Sequence, residues 1–284
     1  MIKTLATQAP VHTLCRLLEV PRSGYYRWLK RIPGPRAGAN EQLLEHIQKA
    51  FAKSRQTYGS PRITRQLRRQ QIICSQNRVA RLMRRHQIRA KPKRPFRPRT
   101  TDSRHRERMA PNRLKQSGPL RAVNQTCVAD ITYIRTKGGW IYLAAVMDLY
   151  SRKIVGWTLG YTLNTSLVEE ALQQALAIRR PAAGLLHHSD RGTQYASSAF
   201  QALLHYYKIQ PSMSATGHCY DNAAMESFWS TLKAELVHRR DFQDLQQAKS
   251  ALFQYIEIFY NRERLHSALG FKSPVDFEQQ GTHY

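Results

Sequence analysis

Three observations predict a chain with an all-α, basic first part and an α/β second part built on a mixed five-stranded sheet. Charge is unevenly spread, the hydrophobic period changes along the chain, and a few carboxylates sit inside apolar strand sequence. The 284 residues carry 45 Lys and Arg against 19 Asp and Glu, a formal charge of +26. Residues 1–120 hold 29 basic and 5 acidic side chains, and residues 121–284 hold 16 and 14. A cationic half before a near-neutral half points to an anionic polymer, nucleic acid above all. The longest apolar run, Trp140 to Met147, is too short to span a bilayer. The first residues lack the continuous apolar stretch of a secretory leader. A cytoplasmic protein with no membrane partner is therefore expected. Cys15, Cys74, Cys127 and Cys219 form no close pairs, so no disulfide framework or zinc ribbon is indicated, and His12 with Cys15 is too small a ligand set.

Residues 1–33 read as a helix-turn-helix segment. Leu14, Leu17 and Leu18 have helical spacing, Pro21 breaks it, and Tyr25, Tyr26, Trp28 and Leu29 resume it between Arg22 and Arg27. The second helix of such a pair can enter a major groove. Gly34-Pro35-Arg36-Ala37-Gly38 reads as a linker. Residues 39–89 read as a second helical DNA-binding module. One helix is expected over 41–54, and Ser60 caps another that begins at Pro61 and carries Arg62 and Arg65. A third opens at Ser75 or Gln76 and carries Arg78, Arg81, Arg84 and Arg85 around Val79, Leu82 and Met83. Contacts from that many cations to phosphates would make binding strongly salt-dependent. Residues 90–119, with Lys91-Pro92-Lys93-Arg94-Pro95, read as an extended basic linker.

Residues 120–284 form the α/β domain with a helical tail. Strands are expected at 126–135, 140–149 and 154–160, the first two joined through Gly138-Gly139. Helix 166–179, strand 183–188, helix 196–207, strand 209–213 and helix 221–237 follow. Such an order makes a mixed sheet covered by helices. Within it Asp130 lies mid-strand, which is costly for a carboxylate unless it is paired, protonated or metal-bound. Asp190 ends a strand before Gly192, where α/β sheets place ligands. Glu226 adjoins the stripe of Met225, Trp229, Leu232 and Leu236 on the last helix. Oxygen ligands alone, beside a basic half, suggest Mg²⁺ or Mn²⁺, with two ions activating a water and steadying a leaving oxygen. Asp148 with Ser151 and Arg152 reads as a turn and ion pair. His187 and His188 read as DNA or supporting groups, and Asp221-Asn222 as a helix cap with Asn222 near DNA.

Between Asp190 and Glu226 lie 35 residues. Together with Asp130, that spacing resembles the Asp–Asp–35–Glu signature of the retroviral integrase superfamily. His188-Ser189-Asp190-Arg191-Gly192-Thr193-Gln194-Tyr195, Tyr220-Asp221-Asn222-Ala223-Ala224-Met225-Glu226 and Tyr260-Asn261-Arg262 resemble the second-frame product, OrfB, of IS3-type insertion sequences. So do Tyr58-Gly59-Ser60-Pro61-Arg62-Ile63 and Ser23-Gly24-Tyr25-Tyr26. The resemblance implies an RNase H-like integrase core and a DDE transposase that cleaves transposon ends and joins strands. It further implies Asp130, Asp190 and Glu226 as catalytic metal ligands, and Lys233 on the DNA-facing side of their helix. Double-stranded DNA would be the substrate, held by a homo-oligomer on paired ends, with an OrfA partner or an OrfAB fusion. The zinc-binding His/Cys domain of retroviral integrases has no counterpart here. The competing readings are a DNA-binding regulator with a silent core, and a plain nuclease of the same fold class.

Overall fold

The computed structural model describes residues 1–30, 35–90, 109–116, 118–214 and 222–281. The chain opens with α1 (Ile2–Leu5), α2 (Val11–Leu17) and α3 (Arg22–Leu29), the last two being the expected helix pair. Their buried side chains, Cys15 and Tyr25, join neither of the two larger cores. Then come α4 (Pro35–Lys53), α5 (Ser60–Arg69) and α6 (Gln76–Arg85). The expected linker at 34–38 is helical from Pro35 onward. Proline lacks an N–H that a first helical turn leaves unpaired anyway, so it starts a helix instead of breaking one. Ser60 is not the cap of α5, since Gly59 precedes it without a side-chain bond; Ser75 does cap α6, accepting from the Arg78 N–H at 3.3 Å.

Most of the expected basic linker lies outside the described residues. Its end is not extended into solvent. Met109 and Ala110 pack on the sheet's core, and the Arg113 N–H donates to Ser212 Oγ at 3.0 Å.

The sheet comprises β1 (Thr126–Thr136), β2 (Gly139–Asp148), β3 (Ile154–Gly160), β4 (Leu186–Ser189) and β5 (Gln210–Met213), in the order β3-β2-β1-β4-β5. β1 to β3 are antiparallel, while β4 and β5 run parallel to β1. Helix α7 (Thr165–Arg179) connects β3 to β4. The single helix expected at 196–207 is instead α8 (Thr193–Ala196) and α9 (Ser198–Tyr206), split at Ser197, whose Oγ accepts the Phe200 N–H. α10 (Ala223–Glu235) and α11 (Leu245–Phe253) follow; α11 continues as a π-helix, Gln254–Glu263, and α12 (Pro274–Gly281) closes the described chain.

Strand alternation sends the two faces of the sheet into different cores. Cys127, Ala129, Ala144 and Val146 face α7 and α9. At Gly156 an added Cβ would lie 2.1 Å from the Ala171 carbonyl oxygen, so α7 sits on β3 at a distance only glycine allows. Val128, Ile134, Ile141 and Leu143 face α10 and the π-helix. That second core does not stop at the α/β domain. It runs on through Leu252, Tyr255 and Phe259 into Ile47, Ile63, Leu67, Val79 and Leu82 of α4–α6. Tyr58 joins the two, its hydroxyl accepting the Leu265 N–H at 2.7 Å. The core on this face of the sheet is therefore shared between the α/β domain and the helices α4–α6.

The tail is pinned by buried polar pairs. Arg264 and Glu235 form an ion pair at 2.8 Å with side chains 5% and 7% exposed, and Tyr255 donates to the same carboxylate. Asn261 pairs with both backbone groups of Ile154, accepting its N–H at 3.0 Å and donating to its carbonyl at 2.9 Å, as a strand would. These bonds satisfy the β3 residue where the strand begins.

Candidate active site

Register places the first two carboxylates. β1 pairs with β4 at Thr126–Leu186, Cys127–His187 and Val128–His188. Continued two residues further, the same offset sets Asp130 beside Asp190, just past the last residue of β4. Neighbouring strands lie about 4.8 Å apart, so two acids share the carboxyl end of a parallel strand pair. β4 ends there, and β1 continues alongside β2 to Thr136, where a parallel bridge to Phe242 closes its other edge.

Asp130 is half-buried. Its Oδ1 accepts the Ile131 N–H at 2.8 Å and its Oδ2 accepts the Trp229 Nε1–H at 2.9 Å. Burial and then the neighbouring charge of Asp190 push its carboxyl up to about 7; Glu226 adds in the same direction, and the two hydrogen bonds oppose it. Asp190 Oδ1 accepts the Gly192 N–H at 3.0 Å, and a Cβ at position 192 would come within 3.1 Å of that oxygen. Glu226 lies in the first turn of α10 and is exposed. The register thus sets Asp130 beside Asp190, and Asp130 feels the charge of Glu226. Among the described residues, no three His, Cys, Asp or Glu side chains form a ready-made metal cage.

Lys233, two turns after Glu226, is buried with its Nζ 4.7 Å from the centre of the Tyr133 ring. Burial lowers its pKa, and the charge of Asp130 works against that fall. Asn222 is buried with an Oδ1 that accepts no hydrogen bond. It occupies the N-cap position of α10, as the sequence suggests, but its side chain makes no capping bond, and Asp221 lies outside the described residues. The Tyr195 hydroxyl is likewise buried without a partner, and burial followed by the charges of Asp130 and Asp190 raises its pKa. His187 packs against the Tyr195 and Phe200 rings, and burial lowers its pKa to about 4. His188 bridges Ser212 and Ser214 at 2.9 and 3.1 Å. Both histidines hold β4 against its surroundings. Asp148 accepts from Asn124, from the Ser151 backbone and from its hydroxyl; its cationic neighbour is Arg179, at 3.8 Å, where the sequence suggested Arg152.

The sequence reading missed Trp229 as a site residue. Its spacing marked it as core, which it is, and no pattern in a sequence tells a buried indole N–H aimed at a carboxylate from one aimed elsewhere.

The arginines expected on DNA separate into groups. Arg22, Arg27, Arg81, Arg84 and Arg85 are exposed. Arg78 is half-buried and donates to Asn40. Arg62 does not face outward. It is half-buried over the Tyr58 ring, its Nε has no partner, and burial followed by nearby Arg264 lowers its pKa. Arg65 lies over the Phe271 ring of the tail. Arg62 is thus turned toward the joint between α5 and the tail, while Arg65 reaches the Phe271 ring and stays exposed.

Comparison with known proteins agrees with this architecture. The Integrase core domain family matches residues 121–219, a second Integrase core domain family matches 207–274, and the HTH-like domain family matches 39–96. The "Insertion element IS600 uncharacterized 31 kDa protein" of Shigella sonnei is 43% identical over 267 residues, covering 94% of this chain and 98% of the relative. "Transposase InsF for insertion sequence IS3A" of Escherichia coli (strain K12) is 40% identical over 274 residues, 95% of this chain and 94% of the relative. The chain belongs to the IS3-type insertion-sequence transposases. This transposase is a DNA-binding enzyme with an integrase core behind a helix-turn-helix-like region. A looser likeness, TM-score 0.48 and 15% identity over 72% of this transposase and 67% of the other chain, is to the simian T-cell lymphotropic virus intasome in complex with PP2A regulatory subunit B56 gamma. No described helix of the transposase is long and apolar enough to cross a membrane.

Proposed function

We propose that Asp130, Asp190 and Glu226 are the catalytic triad of this transposase and hold its divalent cations. The observation that carries the reading is the β1–β4 register, which sets Asp130 beside Asp190 while the charge of Glu226 acts on the same carboxyl. The donor set fits Mg²⁺ or Mn²⁺. All donors are oxygens, and burial together with the like charge of Asp190 makes the proton of Asp130 hard to remove, a cost that a bound cation relieves. When bound, two such ions supply an activated water or 3′-hydroxyl and stabilise the leaving oxygen of the phosphodiester.

The protein's own groups do the rest. Trp229 orients Asp130 through its indole N–H, and the Gly192 N–H holds Asp190. Lys233 offers a point charge for the reactive phosphate from the same helix as Glu226. Asn222, with its unpartnered carbonyl oxygen, stands one turn before Glu226 to receive a donor from DNA. Arg22 and Arg27 on α3, and Arg81, Arg84 and Arg85 on α6, contact the transposon end, with Arg78 behind them. In this reading residues 1–33 and 39–89 recognise ends, the basic start of 90–119 follows the DNA backbone while its end rests on the sheet, and 120–284 cut and join. The active species is a homo-oligomer on paired ends, together with OrfA or as an OrfAB fusion, working on the bacterial nucleoid in the cytoplasm.

The test is Mg²⁺-dependent cleavage of a labelled transposon-end oligonucleotide and its joining to plasmid. Asp130→Asn, Asp190→Asn and Glu226→Gln each keep side-chain volume and remove a metal-binding charge. Each should abolish cleavage and joining while leaving end binding intact. Joining at the wild-type rate by any one of them removes that residue from the triad.

A further inference from the structure

Beyond the carboxylates, at the far end of β1, a cleft of about 530 Å³ opens between the β1–β2 hairpin and the chain that follows α10. Lys233 reaches into its inner end, and Arg135, Lys137 and Arg240 line it with a single acid, Asp241. Its platform is Trp140, a large ring left 50% exposed. The ring is held in place. Trp140 is the cross-strand partner of Arg135, whose guanidinium carbon lies 5.9 Å from the ring centre, and Tyr133 meets it edge-on at 5.1 Å. The walls are fixed by the Lys137 N–H donating to the Phe242 carbonyl at 2.9 Å and the Gly138 N–H to Gln243 at 3.3 Å.

We propose that this cleft binds unpaired nucleotides of a DNA strand beside the cutting site, with a base stacked on Trp140 and its phosphates on Arg135, Lys137 and Arg240. Duplex DNA presents phosphates but no base face, so it leaves an exposed indole without a partner. A single strand supplies both, and cations interleaved with an aromatic platform match its alternation of phosphate and base. The volume suits one or two nucleotides rather than a helix. Position adds to this. Lys233 joins the cleft to Asp130, whose charge it feels. A strand whose phosphate is held at Lys233 would continue into the cleft as it separates from its complement.

The proposal rests on the reading of the triad as the cutting site, and its test does not depend on cutting. Binding of the full chain is measured in EDTA by fluorescence anisotropy. The probes are a labelled transposon-end duplex and the same duplex with a short thymidine tail. The wild type should favour the tailed probe. Trp140→Ala should lose roughly tenfold in affinity for the tailed probe and keep its affinity for the blunt one, since stacking on one ring carries on the order of that factor. Trp140→Tyr should retain most of the preference. Arg240→Ala should weaken the tailed complex and make it less salt-dependent. Equal affinity of the wild type for both probes, or an unchanged preference in both Trp140→Ala and Arg240→Ala, overturns the proposal. Displacement of the tailed probe by polyglutamate more readily than by unlabelled oligothymidine overturns it in favour of an acidic protein partner. In each of these cases the Asp190→Asn cleavage result stands by itself.

Discussion

Replacing Trp229 by Phe removes the indole N–H and leaves a smaller aromatic ring in its place. The indole Nε1–H donates to Asp130 Oδ2 at 2.9 Å, and the ring itself packs 4.7 Å from Phe228 within the core around α10. Phenylalanine fills most of that space and leaves a small cavity, so folding should survive at a cost of about 1–2 kcal/mol. The carboxylate loses a hydrogen bond to its charged form, an interaction of roughly 1.5–3 kcal/mol. It also loses the partner that fixes its orientation, and groups of that kind change metal affinity by roughly 10–100-fold. Both routes lead to the same expectation. Trp229→Phe should need roughly 10–100-fold more Mg²⁺ for half-maximal cleavage, and high Mg²⁺ should restore much of the rate. The assay is end cleavage titrated with Mg²⁺, with circular dichroism as the check on folding. A folded variant with the wild-type Mg²⁺ dependence would show that the indole N–H does not tune this carboxylate, and the role assigned to Trp229 would fall.

Three further outcomes follow from the packing. Glu235→Ala strands Arg264 in a buried site, and the variant should lose about 3–5 kcal/mol in urea unfolding, with Glu235→Leu/Arg264→Met recovering part of it; a loss under 1 kcal/mol would place the pair at the periphery of the fold. His266 is buried, its Nε2 has no partner, and burial followed by nearby Arg264 lowers its pKa to about 3 from 6.5. The unfolded chain therefore takes up a proton that the folded one refuses, so the stability His266 confers is present above pH 6.5 and lost as pH falls toward 3. Relative to His266→Gln, the wild type should lose about 2 kcal/mol between pH 7.5 and pH 5; a pH-independent difference between the two would refute the assignment. Removing residues 1–30 should leave thermal unfolding of the remainder cooperative and nearly unshifted, whereas removing residues 1–90 should expose the shared core and yield an aggregating protein. A well-folded 91–284 fragment would show that the α/β domain closes its own core.

The pattern of residues by itself determined which elements exist and which chemistry they carry. Alternation in Thr126–Thr136 and the unbroken apolar run of β2 specify strands wherever they are placed, and the stripe of Met225, Trp229, Leu232 and Leu236 specifies a helix buried on one side. Asp130 was legible as unusual because a carboxylate in such a strand needs a reason. Composition alone separated the basic helices from the near-neutral sheet. Where elements meet depends on contacts between residues far apart in sequence, and local periodicity carries no record of them. Only the tertiary structure decided that β4 pairs parallel to β1 with an offset that brings Asp190 to Asp130. Only it turned Arg62 inward onto Tyr58, gave Asp148 Arg179 as its cation, and aimed the Trp229 N–H at a carboxylate. The shared core has the same cause. The leucines and isoleucines of α4–α6 announce a buried face, but a buried face needs a partner that the helix does not name, and here the partner is the π-helical tail of the catalytic part.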